Sequence, residues 1–172
     1  MKHFIRPAKP TEFNQIGELL VEVFGNIPGF PTPETQPRYF DVLRNIGELI
    51  KRKHTQLLVC ETAGTISGAV VYISHMSEYG SGGIAPKETD TAAFRLLAVS
   101  PQHKGQGIGK SLSQWCIATA KAAGFKQMII HTTESMQVAW GMYERLGFKR
   151  ATDLDFMQEN LPVLGFRLIF NK

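Results

Sequence analysis

The sequence predicts a mixed α/β (α+β) fold, a central sheet of about seven strands flanked by about four helices. Three observations predict it. The chain has 172 residues and is 43% hydrophobic, enough to bury a sizeable core. Its apolar periodicity switches repeatedly between strand-like and helical, in the order β-α-α-β-β-β-α-β-α-β-β. One stretch, Phe94 to Lys110, passes from an apolar strand through a glycine-rich turn into an amphipathic helix. No linker or internal repeat divides the chain, so residues 1–172 read as a single domain.

Each element has a local cause. His3 to Lys9 reads as a strand. Thr11 is a candidate cap for a helix from Glu12 to Gly25, with Phe13, Ile16, Leu20, Val23 and Phe24 on one face. Gly25 to Pro37 carries Pro28, Pro31, Pro33 and Pro37 and reads as a stiff loop. A second helix is expected from Arg38 to Lys53, with Tyr39, Val42, Leu43, Ile46 and Ile50 inward. Thr55 to Glu61 and Thr65 to His75 form a hairpin about Ala63-Gly64. Ser77 to Asp90 is glycine-containing and reads as mobile. After the central stretch come a C-cap at Gly124, a strand from Lys126 to Thr132 and a helix from Ser135 to Leu146 closed by Gly147. Lys149 to Phe156 and Val163 to Phe170 are the last two strands.

The central stretch carries the chemistry. Pro101 ends the strand because proline cannot donate to a ladder. Ile108, Leu112, Trp115, Cys116, Ala120 and Ala123 then recur at helical spacing. The first N–H groups of a helix lack intrahelical partners and carry partial positive charge. Glycines admit a ligand close to the backbone, and Lys104 and Lys110 add charge at both ends of the turn. A pyrophosphate is the natural ligand. A Walker loop fails, because its first glycine falls on Lys104. A dinucleotide fingerprint fails, because its third glycine falls on Lys110.

Lys104-Gly105-Gln106-Gly107-Ile108-Gly109 instead resembles the Arg/Gln-x-x-Gly-x-Gly/Ala loop of the GNAT superfamily of acetyl-CoA-dependent N-acetyltransferases. Lysine replaces the usual first residue, and Gln102-x-x-Gly105-x-Gly107 matches in an earlier register. Ala139-Trp140-Gly141-Met142-Tyr143-Glu144-Arg145-Leu146-Gly147-Phe148 resembles the superfamily's Ala-x-x-x-Tyr-Glu-x-Leu-Gly-Phe segment. The resemblance covers essentially the whole chain.

It implies a sheet whose central strands splay, with acetyl-CoA in the gap. The main chain of Leu97, Ala98 and Val99 would bond pantetheine. Lys104, Gly105, Gln106, Gly107, Ile108, Gly109 and Lys110 would cradle the pyrophosphate. Tyr143 matches the tyrosine expected to protonate the departing thiolate. Many relatives carry a glutamate base where this chain has Ala93, so His131 on the next strand is the candidate base. Glu78, Glu88 and Glu134 are weaker candidates, and a water chain is the further alternative. Met136 stands where relatives often have an asparagine that bonds pantetheine. By fold analogy Phe24, Phe30, Tyr39, Tyr79 and Phe156 lie near the acceptor, with Glu34, Asp153, Asp155 and Glu159 to attract a cation. The implied reaction is direct acetyl transfer to the primary amine of a small molecule or peptide, without a metal or an acetyl-enzyme. Backbone N–H groups around Val99 would stabilise the oxyanion. The rival reading is a non-catalytic acyl-CoA-binding sensor or scaffold.

Composition bounds the rest. The net charge of +4 is scattered, with one short cluster at Lys51-Arg52-Lys53, so nucleic acid is not an expected partner. Cys60 and Cys116 sit among apolar residues and read as reduced core cysteines. No signal peptide or membrane-length apolar run is evident, which predicts a cytoplasmic protein with no membrane partner. The last strand offers an edge for a homodimer.

Overall fold

The computed structural model describes residues 2–171. Eight strands and five α-helices are present among them. In chain order they are β1 (Phe4–Pro7), α1 (Phe13–Gly25), α2 (Pro37–Arg44), α3 (Ile46–Leu49), β2 (Thr55–Thr62), β3 (Thr65–Ile73), β4 (Thr91–Val99), α4 (Ile108–Ala122), β5 (Gln127–Thr132), α5 (Gln137–Arg145), β6 (Lys149–Arg150), β7 (Phe156–Gln158) and β8 (Leu161–Ile169). The strands form one sheet in the order β1-β2-β3-β4-β5-β8-β6, and β7 pairs off that path with β8. Every pairing is antiparallel except that of β4 with β5.

The sheet separates two cores. On one face α1, α2 and α3 bury Ile16, Leu20, Phe40, Leu43 and Ile46 against Val59, Val71 and Ala93. On the other, α4 and α5 bury Ile108, Leu112, Cys116 and Tyr143 against Val70, Phe94 and Ile130. Apolar burial on this scale, at about 25 cal/mol per Å², is the main favourable term in folding. The β2–β3 hairpin turns where expected: Ala63 and Gly64 both take positive φ, 50° and 78°, which matches the twist of the flanking strands.

Five departures from the sequence reading follow, and the larger ones are set by contacts between distant segments. The first helix begins after a 3₁₀ turn at Pro10–Glu12, and Thr11 makes no capping bond. Instead the Glu12 carboxylate accepts from the Lys9 backbone N–H at 2.8 Å and from Arg6 at 2.8 and 3.0 Å. The expected helix over 38–53 is broken at Asn45, whose backbone and side-chain nitrogens both donate to the Asp41 carbonyl at 3.0 Å. The break lets the end of α2 abut α1 at Gly17, where any Cβ would collide with the Arg44 carbonyl. It also turns Phe40 inward and leaves Val42 exposed.

The segment 77–90 is packed rather than loose. It contains two 3₁₀ turns, and Tyr79 and Ala85 are buried. The strand expected over 149–156 is interrupted by a 3₁₀ turn at Thr152–Leu154. There Asp155 accepts from the Gly165 N–H at 2.8 Å, and Arg150 donates to the Gly165 carbonyl at 2.7 Å. Ser135 does not cap α5; its hydroxyl pairs with that of Thr133 at 2.8 Å.

Glu12 also predicts an acid-stability limb. Its carboxyl is lowered from 4.5 to about 2, chiefly by the hydrogen bond from Arg6. A depressed folded-state value contributes stability that is complete above about pH 4.5 and is lost as pH falls through about 2. Both partners reach solvent, so the contribution is about 1 kcal/mol. Glu12→Gln is expected to lower stability by that amount at pH 7 and to flatten the profile between pH 5 and 2, read by urea unfolding at each pH. A parallel loss at every pH would assign the effect to packing.

Candidate active site

The site begins with a strand that stops pairing. β4 pairs with β5 only over Thr91–Ala93 opposite Gln127–Ile129. Beyond that point β5 pairs on its other side with β8, while β4 continues along β3 as far as Val99. Within β4 the register against β3 shifts between Ala69 and Val71, and Leu96 takes φ 57°. A leucine held in the left-handed region bends the strand and costs about 1–3 kcal/mol, which the surrounding packing must offset. The main chain from Phe94 to Val99 therefore faces β5 across a gap with no strand to pair it.

At the end of that edge lies the glycine-rich turn. Gly105 and Gly107 have φ 77° and 78°, and a Cβ at either would meet no protein atom within 4 Å. Gly107 is the N-cap of α4, and the first helical bond runs from the Ser111 N–H to its carbonyl at 3.0 Å. The N–H groups of Ile108, Gly109 and Lys110 are thus left without intrahelical partners. Ile108 is buried and fixes the turn to the core, while Lys104 and Lys110 are exposed and without ion pairs among the described residues. The turn has a tether that local sequence did not reveal: His3 Nε2 donates to the Gln106 carbonyl at 2.8 Å, and His3 Nδ1 lies 3.0 Å from Thr62 Oγ1.

The gap opens into a cleft of about 130 Å³. Tyr143 and His131 both line it, as do Leu97, Thr132 and Met136, whereas Ala98 and Val99 do not. Tyr143 is held on α5 by edge contacts with Phe94 and Phe148 at 5.9 Å. Its hydroxyl makes no hydrogen bond among the described residues. Burial pushes its pKa up from 10.0, so it keeps its proton across the neutral range. His131 is engaged at both nitrogens. Nε2 donates to the Leu154 carbonyl at 2.9 Å, which makes Nδ1 the acceptor for the Tyr79 hydroxyl at 2.8 Å. Burial lowers the His131 pKa below 6.5, so the ring is neutral at pH 7. The buried Thr132 Oγ1 has no hydrogen-bond partner.

Phe24, Phe30, Tyr39, Tyr79 and Phe156, expected near the acceptor, all line the cleft. The expected acids do not. Asp155 is bound by Arg150 at 2.8 Å, Asp153 and Glu88 are bound by Arg167 at 2.7 and 2.8 Å, and Glu34 and Glu159 lie outside the lining. Glu78 and Glu134 also lie outside it. Fold analogy does not foresee the ion pairs that engage Asp153, Asp155 and Glu88. The sequence reading assigned no role to Arg95, which does line the cleft. An arginine inside an otherwise apolar strand was the available signal. Cys60 and Cys116 are buried free thiols, and burial pushes the Cys116 pKa upward.

Residues 15–148 match the Acetyltransferase (GNAT) family. The chain belongs to the GNAT acetyltransferase family. Among relatives, the "Uncharacterized N-acetyltransferase YjgM" of Escherichia coli K12 is 34% identical over 73 residues, 41% of this chain and 44% of that protein. This GNAT chain thus matches less than half the length of that relative. The crystal structure of an N-acetyltransferase from Staphylococcus aureus Mu50 is 22% identical with a TM-score of 0.72, over 98% of this chain and 99% of that one. PaiA N-acetyltransferase from Thermoplasma acidophilum, solved in complex with coenzyme A, is 15% identical with a TM-score of 0.74, over 96% and 98%. At these identities the likeness is one of fold. No helix among the described residues is long and apolar enough to cross a membrane.

The residues present fit a CoA-type ligand. The unpaired β4 edge offers main-chain groups, the orphaned Thr132 hydroxyl offers a polar contact that Met136 cannot, and the open glycines and unpaired N–H groups offer an anion cradle.

Proposed function

We propose that this GNAT domain is an acetyl-CoA-dependent N-acetyltransferase that transfers acetyl directly to a primary amine in a ternary complex. The observation that carries the reading is the unpaired edge of β4, which runs from the cleft that Tyr143 lines to the open N-terminus of α4. When bound, acetyl-CoA supplies a thioester whose acyl carbon accepts the amine lone pair. The chain's own groups then bind, orient and move protons.

Gly105 to Lys110 bind the pyrophosphate through N–H groups and helix-terminal charge, with Lys104 and Lys110 at the rim. Leu97, Ala98 and Val99 act through their main chain. N–H groups near Val99 stabilise negative charge on the carbonyl oxygen. Tyr143 holds its proton until the sulfur needs it, and its burial keeps that proton in place.

The amine proton leaves through Tyr79. As the Tyr79 oxygen takes it, the Tyr79 hydroxyl proton passes along the existing 2.8 Å hydrogen bond to His131 Nδ1. Once the product leaves, the same hydrogen bond returns the proton through Tyr79 to water entering the cleft. Its lowered pKa supports this role, because Nδ1 is unprotonated and ready at pH 7.

Thermal unfolding with acetyl-CoA, CoA, ATP–magnesium and NAD in parallel tests the reading. A ligand at about 100 times its Kd stabilises the native state by about 2.7 kcal/mol. At about 2–4 °C per kcal/mol that raises Tm by several degrees. Acetyl-CoA and CoA are expected to shift Tm and the others not. A shift with ATP or NAD alone would overturn the assignment of the turn.

A further inference from the structure

Arg95 is the one lysine, arginine, aspartate or glutamate that lines the cleft among the described residues. It is half-buried, and no described carboxylate lies within ion-pair distance of it. Its single protein hydrogen bond is from Nη1 to the Tyr79 carbonyl, at 2.8 Å. A guanidinium has five N–H donors, so most of its capacity is unused. Every other arginine that enters the packed part of the sheet is paired: Arg6 with Glu12 and Glu61, Arg150 with Asp155, and Arg167 with Asp153 and Glu88. Removing a cation from water without a counter-charge is unfavourable, and an anion from outside the chain supplies one.

A second cation meets it. Nη1 of Arg95 and of Arg52 lie 3.0 and 3.8 Å from the position a Cβ would take at Gly80, which itself lines the cleft. Arg52 is exposed and likewise has no ion pair among the described residues. The cleft that Arg95 enters has aromatic, neutral walls: Phe24, Phe30, Tyr39 and Phe156. Among the described residues no acid lines the cleft to hold a second ammonium group.

We propose that Arg95, assisted at the rim by Arg52, binds a carboxylate carried by the acceptor, so that the preferred substrates are amino acids with apolar side chains rather than simple amines or polyamines. This rests on the acetyltransferase reading above and specifies its acceptor. A planar guanidinium with free donors suits bidentate recognition of a carboxylate. The aromatic walls suit the apolar remainder. The single inward charge matches a monoanion better than a phosphate ester.

The test uses matched amines with the full chain and saturating acetyl-CoA. L-Phenylalanine and L-leucine are compared with their amides, with 2-phenylethylamine, with O-phosphoethanolamine and with 1,4-diaminobutane. The carboxylates are expected to show kcat/KM roughly 30-fold above their amides, the size expected of a charged hydrogen bond. Arg95→Gln is expected to erase that ratio while leaving acetyl-CoA affinity within threefold, and Arg95→Lys to restore part of it. The inference is overturned if the amides match the acids, if the phosphate ester or diamine is preferred, or if acetyl-CoA binds and no carboxylate is turned over. The wild-type ratio decides the matter even if Arg95→Gln fails to fold. Failure of the parent reading looks different: acetyl-CoA then neither binds nor acetylates any member of the panel.

Discussion

Gly107→Val is expected to weaken acetyl-CoA binding by at least about 100-fold, or about 2.8 kcal/mol. Gly107 has φ 78°, a backbone state that a β-branched residue adopts only under strain. Valine would pull the N-cap of α4 toward negative φ and re-aim the N–H groups of Ile108, Gly109 and Lys110. It would also fill space that contains no protein atom within 4 Å and that the phosphates are proposed to occupy. The control is Gly124→Val, at φ 85° beyond the other end of the same helix, again with nothing within 4 Å of a Cβ. Both variants are expected to lose a similar 1–3 kcal/mol of stability. Only Gly107→Val should lose the ligand, measured by calorimetric titration with CoA. Equal affinities in the two variants would remove the turn from the binding site.

Tyr143→Phe is expected to lower kcat about 100-fold, within the usual range for loss of a general acid, while the Kd for acetyl-CoA stays within twofold. The ring is retained, so the edge contacts with Phe94 and Phe148 persist. The lost hydroxyl has no hydrogen-bond partner among the described residues, and stability should change by less than about 1 kcal/mol. Burial holds the Tyr143 pKa above 10.0. The wild-type rate should therefore show no fall from Tyr143 deprotonation below that pH. Single-turnover rates with the amine panel, beside the CoA titration, separate chemistry from binding. Unchanged single-turnover rates in Tyr143→Phe would end its assignment as the acid.

The sequence was most informative where neighbouring residues settle their own geometry. The strand, glycine turn and helix from Phe94 to Ala122 were legible because proline, positive-φ glycines and helical spacing act within a few residues of one another. The Ala63-Gly64 hairpin and the Gly147 helix stop were legible for the same reason. The aromatic members of the cleft were legible only through resemblance to a known fold, since no local signal brings Phe24 next to Phe156.

What stayed hidden depends on partners far along the chain. Asn45 breaks a helix whose periodicity runs straight through it, because α1 needs close approach at Gly17. Thr152–Leu154 interrupts a strand because Gly165 draws Arg150 and Asp155 onto its main chain. A candidate base on β5 has both ring nitrogens engaged, one by Tyr79 and one by the carbonyl of Leu154. Acids expected to greet a cation instead neutralise arginines, and Arg95 is left to set the charge of the cleft. Backbone preference is short-ranged and can be read from consecutive residues. Charge pairing, tautomer and cleft polarity are properties of groups that meet only after folding, so they were decided by the tertiary structure.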